Sequence, residues 1–126
     1  MTHSYKGLIV WQKAKVLAGD IYRATESFPK HETYGLTSQL RRASVSVASN
    51  IAEGQGRLTK GEFQQFLGHS RGSLLELETQ LAIAVDFHYL SAVELTRLEA
   101  KTAEVSRLLN GLIDSLRVRS KAATAP

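Results

Sequence analysis

A stripe of polar residues is the part of this sequence whose residue types and spacing could form a site. Its members recur at steps of four, four, three and four: Arg42, Ser46, Asn50, Glu53 and Arg57. The spacing places the first four along one side of a helix, with Arg57 just beyond its end. Farther along the chain, Glu76 stands among leucines and could face this stripe from another helix. These residues could line a functional pocket, or they could form a network that fixes how two helices pack.

The residue types favour the structural network. The stripe contains no histidine, so it lacks the side chain that most readily acts as a general base near neutral pH. An arginine that is buried in a bundle requires an acceptor, and Glu53 or Glu76 would supply one for Arg42. We therefore predict no catalytic residues and a structural polar network of Arg42, Ser46, Asn50, Glu53 and Glu76.

Basic residues that could contact phosphate groups are concentrated in two short segments. The chain has 16 Lys and Arg against 12 Asp and Glu, a formal net charge of +4. Residues 37–61 contain four basic residues and one acid, and residues 115–126 contain three basic residues and no acid. Since phosphate contacts require exposed cations, these segments predict nucleic-acid contacts for Arg41, Arg57, Lys60, Arg117, Arg119 and Lys121. The alternative is an ordinary solvated surface.

The sequence lacks the residues that catalytic, metal-binding or cofactor-binding sites would need. The chain has no cysteine, which excludes disulfides and thiolate metal sites, and its four histidines are scattered without partners at ligand spacing. Because no catalytic or phosphate-loop motif occurs, we predict no enzyme, no metal and no cofactor. Residues 47–67 superficially resemble a helix-turn-helix, but the second helix turns apolar where a recognition helix needs base-reading residues. With no visible signal peptide or membrane span, we expect a cytoplasmic protein.

The elements that must position these residues are four helices. Apolar residues recur with helical period in four segments, at about residues 8–27, 38–53, 59–86 and 91–118. Short links between long helices favour antiparallel neighbours, so the predicted fold is an all-α, antiparallel up-down four-helix bundle. It would form one domain over residues 1–118, and residues 119–126 would be a frayed tail.

The helix ends are predicted from local signals. Pro29 ends the first helix because the residue before a proline is driven out of the α region. In the second helix Thr37 is the predicted N-cap and Gly54 the residue that follows the C-cap. Thr59 and Ser91 begin the third and fourth helices, each with a glutamate three residues later as in a capping box.

The second helix carries an uncharged run that a solvated bundle helix would not have. From Ala43 to Ala52 no residue is charged, although the run covers nearly three helical turns. A surface helix normally buries one stripe and solvates the remainder. We therefore expect this helix to be covered on two sides, by its own bundle and by a second copy of the chain, although a fully internal helix is the alternative.

The sequence resembles a known family of small bacterial four-helix-bundle proteins, those encoded in intervening sequences of 23S rRNA genes. It is also similar to the related accessory variability proteins of diversity-generating retroelements. The resemblance rests on these segments: Leu8–Ala14, Phe28-Pro29, Tyr34–Leu36, Gln39–Ala43, Ser46, Asn50–Gly54, Arg57 and Gly72–Glu78. It implies a ring-like homopentamer and a nucleic-acid role, with RNA as the partner in the retroelement branch.

Two functional hypotheses follow. The first is a non-enzymatic homo-oligomeric scaffold that binds RNA or another nucleic acid through its basic patches. The second is an oligomeric protein-interaction module without a nucleic-acid partner. In a symmetric oligomer each modest basic patch would be repeated, which favours the first hypothesis.

Overall fold

Four α-helices make up most of the structure. The computed structural model describes the backbone of residues 4–124 and the side chains of residues 4–117. The helices are α1 (Ile9–Thr25), α2 (Leu36–Gln55), α3 (Lys60–Asp86) and α4 (Ala92–Thr124), and two single-turn 3-10 helices span Tyr5–Gly7 and Lys30–Glu32. Within residues 4–124 there is no strand.

The helices form a four-helix bundle, as predicted. α1 packs against α2 and α4, and α3 packs against the same two helices. Ser46 and Val47 on α2 bond to Ser73 and Ser70 on α3 respectively, so the two helices run antiparallel. The core is built from aliphatic residues of all four helices. Its largest fully buried side chains are Leu17, Ile21, Leu40, Val47, Ile51, Leu67, Leu74, Leu77, Leu81, Leu98, Val105 and Leu109.

The start of α2 differs from the prediction. The helix begins at Leu36, and Thr37 lies inside it with a buried hydroxyl that has no partner among the described residues. The Glu32 carboxylate instead accepts the hydrogen bond from the Leu36 N–H, at 3.0 Å. A Cβ on Gly35 would lie 2.6 Å from that carboxylate oxygen. Glycine therefore leaves the space through which Glu32 caps α2.

Gly54 allows α2 and α3 to pack closely and does not end α2. α2 continues to Gln55, and Gly56 provides the C-cap. Gly54 is buried where α3 crosses closely, and a Cβ there would lie 2.7 Å from the Phe66 Cβ. The predicted helix end is therefore two residues early, because a glycine near a helix end resembles a stop signal whether it caps the helix or allows close approach.

The starts of α3 and α4 lie close to the predicted positions, whereas α4 extends into the segment that was predicted to be a frayed tail. Thr59 accepts a hydrogen bond from the Glu62 N–H, and Ser91 accepts one from the Glu94 N–H, both at 3.1 Å. α4 continues to Thr124, beyond the predicted end at residue 118. The segment 119–124 contains alanine and lysine and no glycine or proline, so its composition permits the helix to continue.

Candidate functional site on the α2–α3 surface

A polar network joins α2 to α3, and it contains two of the five predicted residues, Ser46 and Asn50. The Ser46 and Ser73 hydroxyls lie 2.9 Å apart, and the Asn50 amide donates to the Ser46 hydroxyl at 3.0 Å and to its carbonyl at 2.9 Å. The buried Ser70 hydroxyl donates to the Val47 carbonyl at 2.8 Å. These bonds satisfy polar groups at a helix–helix contact and set which residues of α2 and α3 face each other.

Arg42 and Glu76 belong to this surface but not to the bonded network. Both side chains are exposed, whereas the prediction places Arg42 in a buried position. Arg42 lies on the side of α2 opposite the buried Val47 and Ile51, which is why it reaches solvent. Neither Arg42 nor Glu76 has a hydrogen bond or ion pair with the side chains that the structure describes. Glu53, the other predicted acceptor, bonds to Arg57 instead.

A groove of about 640 Å³ runs along this surface, and Arg42 and Glu76 both line it. Most of its lining is polar: Tyr22 from α1; Gln39, Arg41, Arg42, Ala43, Val45 and Ser46 from α2; Ser73, Glu76 and Gln80 from α3. Gln80 is only 9% exposed, and its buried Oε1 has no donor among the described residues. The groove therefore contains two unpaired opposite charges and one unsatisfied buried acceptor.

Arg41, a predicted phosphate contact, is engaged within the subunit. Its Nε donates to the Thr25 hydroxyl at 2.9 Å and its Nη2 donates to the Tyr22 carbonyl at 3.3 Å. The guanidinium also lies over the Tyr22 ring, 4.6 Å from the ring centroid. Arg41 thus joins α2 to the end of α1, and a phosphate would compete with three existing contacts.

The remaining predicted phosphate contacts differ in whether they have partners within the subunit. Arg57 pairs with Glu53 at 3.1 Å and lies over the Phe66 ring at 4.6 Å, and Arg117 pairs with Asp114 at 3.7 Å. Lys60 is exposed at the first residue of α3 and has no partner in the described part of the chain. Arg119 and Lys121 lie outside the residues whose side chains are described.

The outer surfaces of α2 and α3 are poor in charge. On α2, Val45 is 42% exposed and Ser49 is exposed one turn farther on. On α3, the residues opposite the core recur at steps of four, three, four and three: Gly68, Gly72, Leu75, Thr79 and Ala82. All of these are exposed, Leu75 to 60%. Apart from the neighbouring backbone of α3 itself, nothing lies within 4 Å of a Cβ placed on Gly68 or Gly72, so packing within the subunit does not require glycine at either position.

An acidic residue that the sequence did not single out joins α1 to α4. Asp20 is buried, and its carboxylate accepts hydrogen bonds from Lys101 and Arg23, with Arg97 at 3.9 Å. Burial raises the pKa of Asp20, but the hydrogen bonds from Lys101 and Arg23 outweigh it, so the pKa lies below its ordinary value. A lone aspartate on the apolar side of α1 was the available signal, but its partners on α4, Lys101 and Arg97, lie some eighty residues away in the sequence.

A second cluster lies at the end of the bundle where α2 begins. Tyr89 donates from its hydroxyl to Glu32 at 2.9 Å, and the His31 ring nitrogen lies 3.3 Å from the same hydroxyl. The hydrogen bonds from the Leu36 N–H and Tyr89 lower the pKa of Glu32, and the bond to Glu32 raises the pKa of Tyr89. The bond from Tyr89 therefore helps to hold the Glu32 carboxylate where it caps α2.

The described residues contain neither a candidate metal-binding cluster nor a candidate membrane-spanning helix. No group of three or more His, Cys, Asp or Glu side chains is placed to hold a metal ion. Among the helices of that same region, none is long and apolar enough to span a bilayer.

The helix order and packing define an all-α protein of the four-helix-bundle class. Within that class, residues 6–111 match the family described as 23S rRNA-intervening sequence protein, and the chain belongs to this family. No curated protein sequence matches the chain.

A solved structure shares the fold. It is described as a protein with unknown function from the S23 ribosomal protein family, from Bacteroides thetaiotaomicron. The TM-score is 0.78 with 19% sequence identity, and the match covers 84% of this chain and 96% of that one. At this identity the likeness shows the bundle architecture.

Proposed function

We propose that this chain is a non-enzymatic subunit of a homo-oligomeric helical scaffold that binds RNA or another nucleic acid through surface cations. The observation that carries the proposal is a stripe of exposed, uncharged residues on the outer sides of α2 and α3: Val45, Ser49, Gly68, Gly72, Leu75, Thr79 and Ala82. Membership of the intervening-sequence family supports a role linked to RNA. The ring-like homopentamer that the family resemblance implies is the expected form of the assembly.

The glycines of α3 support self-association because they share one uncharged stripe with the exposed Leu75. A glycine in the interior of an exposed helix costs about 1 kcal/mol relative to alanine. Gly68 and Gly72 carry this cost although nothing in the subunit occupies the space where a side chain would stand. Glycine at such positions allows the backbone of another helix to approach closely. Leu75 is exposed and lies on the same stripe, between Gly72 and Thr79. It would then be buried in the contact.

The cations best suited to bind phosphate are those that partners within the subunit hold only weakly. The pairs Arg57–Glu53 and Arg117–Asp114 are exposed, and exposed ion pairs contribute only about 0–1 kcal/mol. A phosphate can therefore replace the carboxylate at little cost, and Lys60 has no carboxylate to lose. Repetition of these cations around an assembly would turn weak single contacts into a multivalent surface.

The chemistry of the α2–α3 network supports a non-enzymatic role. Its hydroxyl and amide groups bond to each other, and no imidazole lies among the groups bonded in it. A serine nucleophile requires an adjacent base that takes its proton. Ser46 and Ser73 instead face each other and the Asn50 amide, which is an arrangement for packing.

Sedimentation velocity on matched charge insertions tests the assembly. We expect the wild type to sediment well above the 13.9 kDa of one chain. Ser49→Glu and Gly72→Glu should each dissociate it, because each places a charge on the proposed contact surface. Gly111→Glu, at an exposed glycine of α4 with open space around it, is the control and should leave the assembly intact. A wild type that sediments as one chain would overturn the proposal.

The nucleic-acid partner is tested separately. Affinity for a structured RNA should fall steeply as salt is added, because binding through phosphate contacts releases counterions. An assembly that binds no RNA at low salt would favour the alternative function, an oligomeric protein-interaction module.

A further inference from the structure

We propose that the guanidinium of Arg57, supported by the ring of Phe66, is a stacking surface for an unpaired RNA base. The inference rests on the proposed nucleic-acid role and specifies what the RNA presents at this site, which is a single-stranded segment whose bases are free to stack. It is argued from the position of Arg57 over an aromatic ring, from its exposure, and from a second planar group and a free cation nearby.

Two contacts restrict the plane of the Arg57 guanidinium. The group lies over the Phe66 ring, 4.6 Å from the ring centroid, and its Nη2 donates to the Glu53 carboxylate at 3.1 Å. The arginine side chain nevertheless remains 40% exposed. Proteins bind unpaired RNA bases by stacking them on aromatic rings and on guanidinium planes. A base on the solvent side of Arg57 would therefore continue the stack that Phe66 begins.

The packing of α2 against α3 places the ring beneath the arginine. A Cβ on Gly54 would lie 2.7 Å from the Phe66 Cβ, so glycine is what lets α3 come this close to α2. Arg57 follows the last residue of α2 by two positions, at the turn that leads to α3. The close approach of the two helices thus sets the stack at the end of the bundle where they are connected.

Neighbouring side chains suit a nucleotide. The His69 ring is exposed and lies 5.8 Å from the Phe66 ring, with 32° between the two planes. Lys60 is exposed and has no partner in the described part of the chain. The three residues from Arg57 to Lys60 span at most about 11 Å. Lys60 is therefore within reach of a phosphate that flanks the base on Arg57.

Arg41 shows what distinguishes Arg57 from a structural arginine. Its guanidinium lies over the Tyr22 ring at the same distance, 4.6 Å, but it also donates to the Thr25 hydroxyl and to the Tyr22 carbonyl. Arg57 instead bonds to an exposed carboxylate. A phosphate that replaced this carboxylate would bind the edge of the guanidinium and leave its face for a base.

Arg57→Lys tests the stack because it keeps the charge and removes the planar group. Its affinity for a single-stranded RNA without internal pairing should fall about 10-fold, since the stacking of one base is lost. Its affinity for the corresponding duplex and for inorganic polyphosphate should stay unchanged, because these probes offer phosphates without free bases. The salt dependence should also stay the same, since no cation is removed. Competition against a labelled strand measures all three affinities.

Phe66→Leu provides a second test because it leaves Arg57 in place and removes the ring beneath it. This variant should also bind the single strand more weakly and the duplex as well as the wild type does. The matched control is Arg71→Lys, the same change at an exposed arginine of α3 whose Nη1 contacts Asn110. It should leave all three affinities unchanged.

The outcomes separate this inference from the proposed function. Equal losses for single strand, duplex and polyphosphate in Arg57→Lys would overturn the inference and make Arg57 a phosphate contact. An unchanged affinity for the single strand would overturn it as well, as would a loss of self-association in sedimentation, which would assign the stack to a subunit contact. A wild type that binds duplex but no single strand would overturn the inference and leave the proposed function standing. A wild type that binds none of the probes would overturn both.

Discussion

The hydroxyls of Ser46 and Ser73 lie 2.9 Å apart, on two helices that follow each other in the chain with a short link after Gln55. Asn50 extends this contact by donating to the Ser46 hydroxyl from one turn farther along α2. The pair sets the register of α2 on α3, and Arg42 and Glu76 line the groove beside it but stay outside the network. The same contact thus orders the interior of the subunit and shapes its outer groove.

Ser73→Ala should lower the free energy of unfolding by about 1 kcal/mol, because Ser73 is buried and its partner loses one hydrogen bond. Adding Ser46→Ala should cost less than the sum of the two single changes, since both act on the same bond. Urea denaturation of a dissociated background measures these differences. Ser49→Ala, at an exposed serine on the same helix, is the control and should change stability by less than 0.5 kcal/mol or so. Full additivity would show that the hydroxyl bond contributes nothing to stability.

Gly68→Ala and Gly72→Ala should act in opposite directions on the subunit and on its assembly. Each should stabilise the isolated subunit by about 0.5–1 kcal/mol, because alanine has the higher helix propensity and its Cβ meets open space. Each should also weaken self-association, because the added methyl prevents close approach of the second copy. Thermal melting and sedimentation together measure both effects. Gly111→Ala, the control on α4, should raise the stability of the subunit without weakening self-association. If Gly68→Ala and Gly72→Ala also left self-association unchanged, the α3 surface would be exposed to solvent and not part of the contact.

Asp20 should make stability depend on pH in the acidic range. Since the pKa of Asp20 is lowered in the folded state, the unfolded chain binds more protons as the pH falls through about 4. The stabilisation by this carboxylate is complete above that pH, and it is lost as the pH falls through the lower pKa of the folded state. Asp20→Asn should destabilise the protein at neutral pH by about 1.5–3 kcal/mol, the range for hydrogen bonds to charged groups.

The check on Asp20 is a pair of urea titrations across the acidic range. The difference in stability between wild type and Asp20→Asn should narrow as the pH decreases. Asp114→Asn, at an exposed aspartate of α4, is the control and should show little change at any pH. A difference that stayed constant with pH would show that the Asp20 charge is not what stabilises the contact between α1 and α4.

Removing cations should separate phosphate contacts from structural arginines. The double variant Arg57→Gln and Lys60→Gln should weaken RNA binding similarly for different sequences and lower the salt dependence of the affinity. Arg41→Gln should mainly lower thermal stability, because it removes the bonds to Thr25 and the Tyr22 carbonyl. Filter binding at two salt concentrations, with melting temperatures alongside, measures both. An equal loss of affinity in all variants without loss of stability would make Arg41 a phosphate contact as well.

The sequence was sufficient to predict the four-helix bundle and part of the contact between α2 and α3. Helical period and capping residues located the four helices, because both depend on neighbours within one or two turns. Ser46 and Asn50 were also found by period alone. Features that depend on distant chain segments were missed. The bonds from Lys101 to Asp20 and from Tyr89 to Glu32 each join residues that are more than fifty positions apart.

Two errors share a physical cause. Gly54 resembles a helix stop because glycine ends many helices, yet here it lets α2 and α3 approach. Arg42 was assigned to a buried position because its period matches that of Ser46 and Asn50, yet the stripe winds around α2 toward solvent. In both cases residue type and spacing are correct, and only the position of the neighbouring helix decides the role.

Sedimentation equilibrium of the wild-type chain at micromolar concentrations tests the central claim, self-association through the α2–α3 surface, most directly. The account predicts a mass that is an integral multiple of 13.9 kDa, five-fold for the expected pentamer, and a single-chain mass for Gly72→Glu under the same conditions. A wild-type mass of 13.9 kDa would contradict the account, as would an assembly that Gly72→Glu leaves intact.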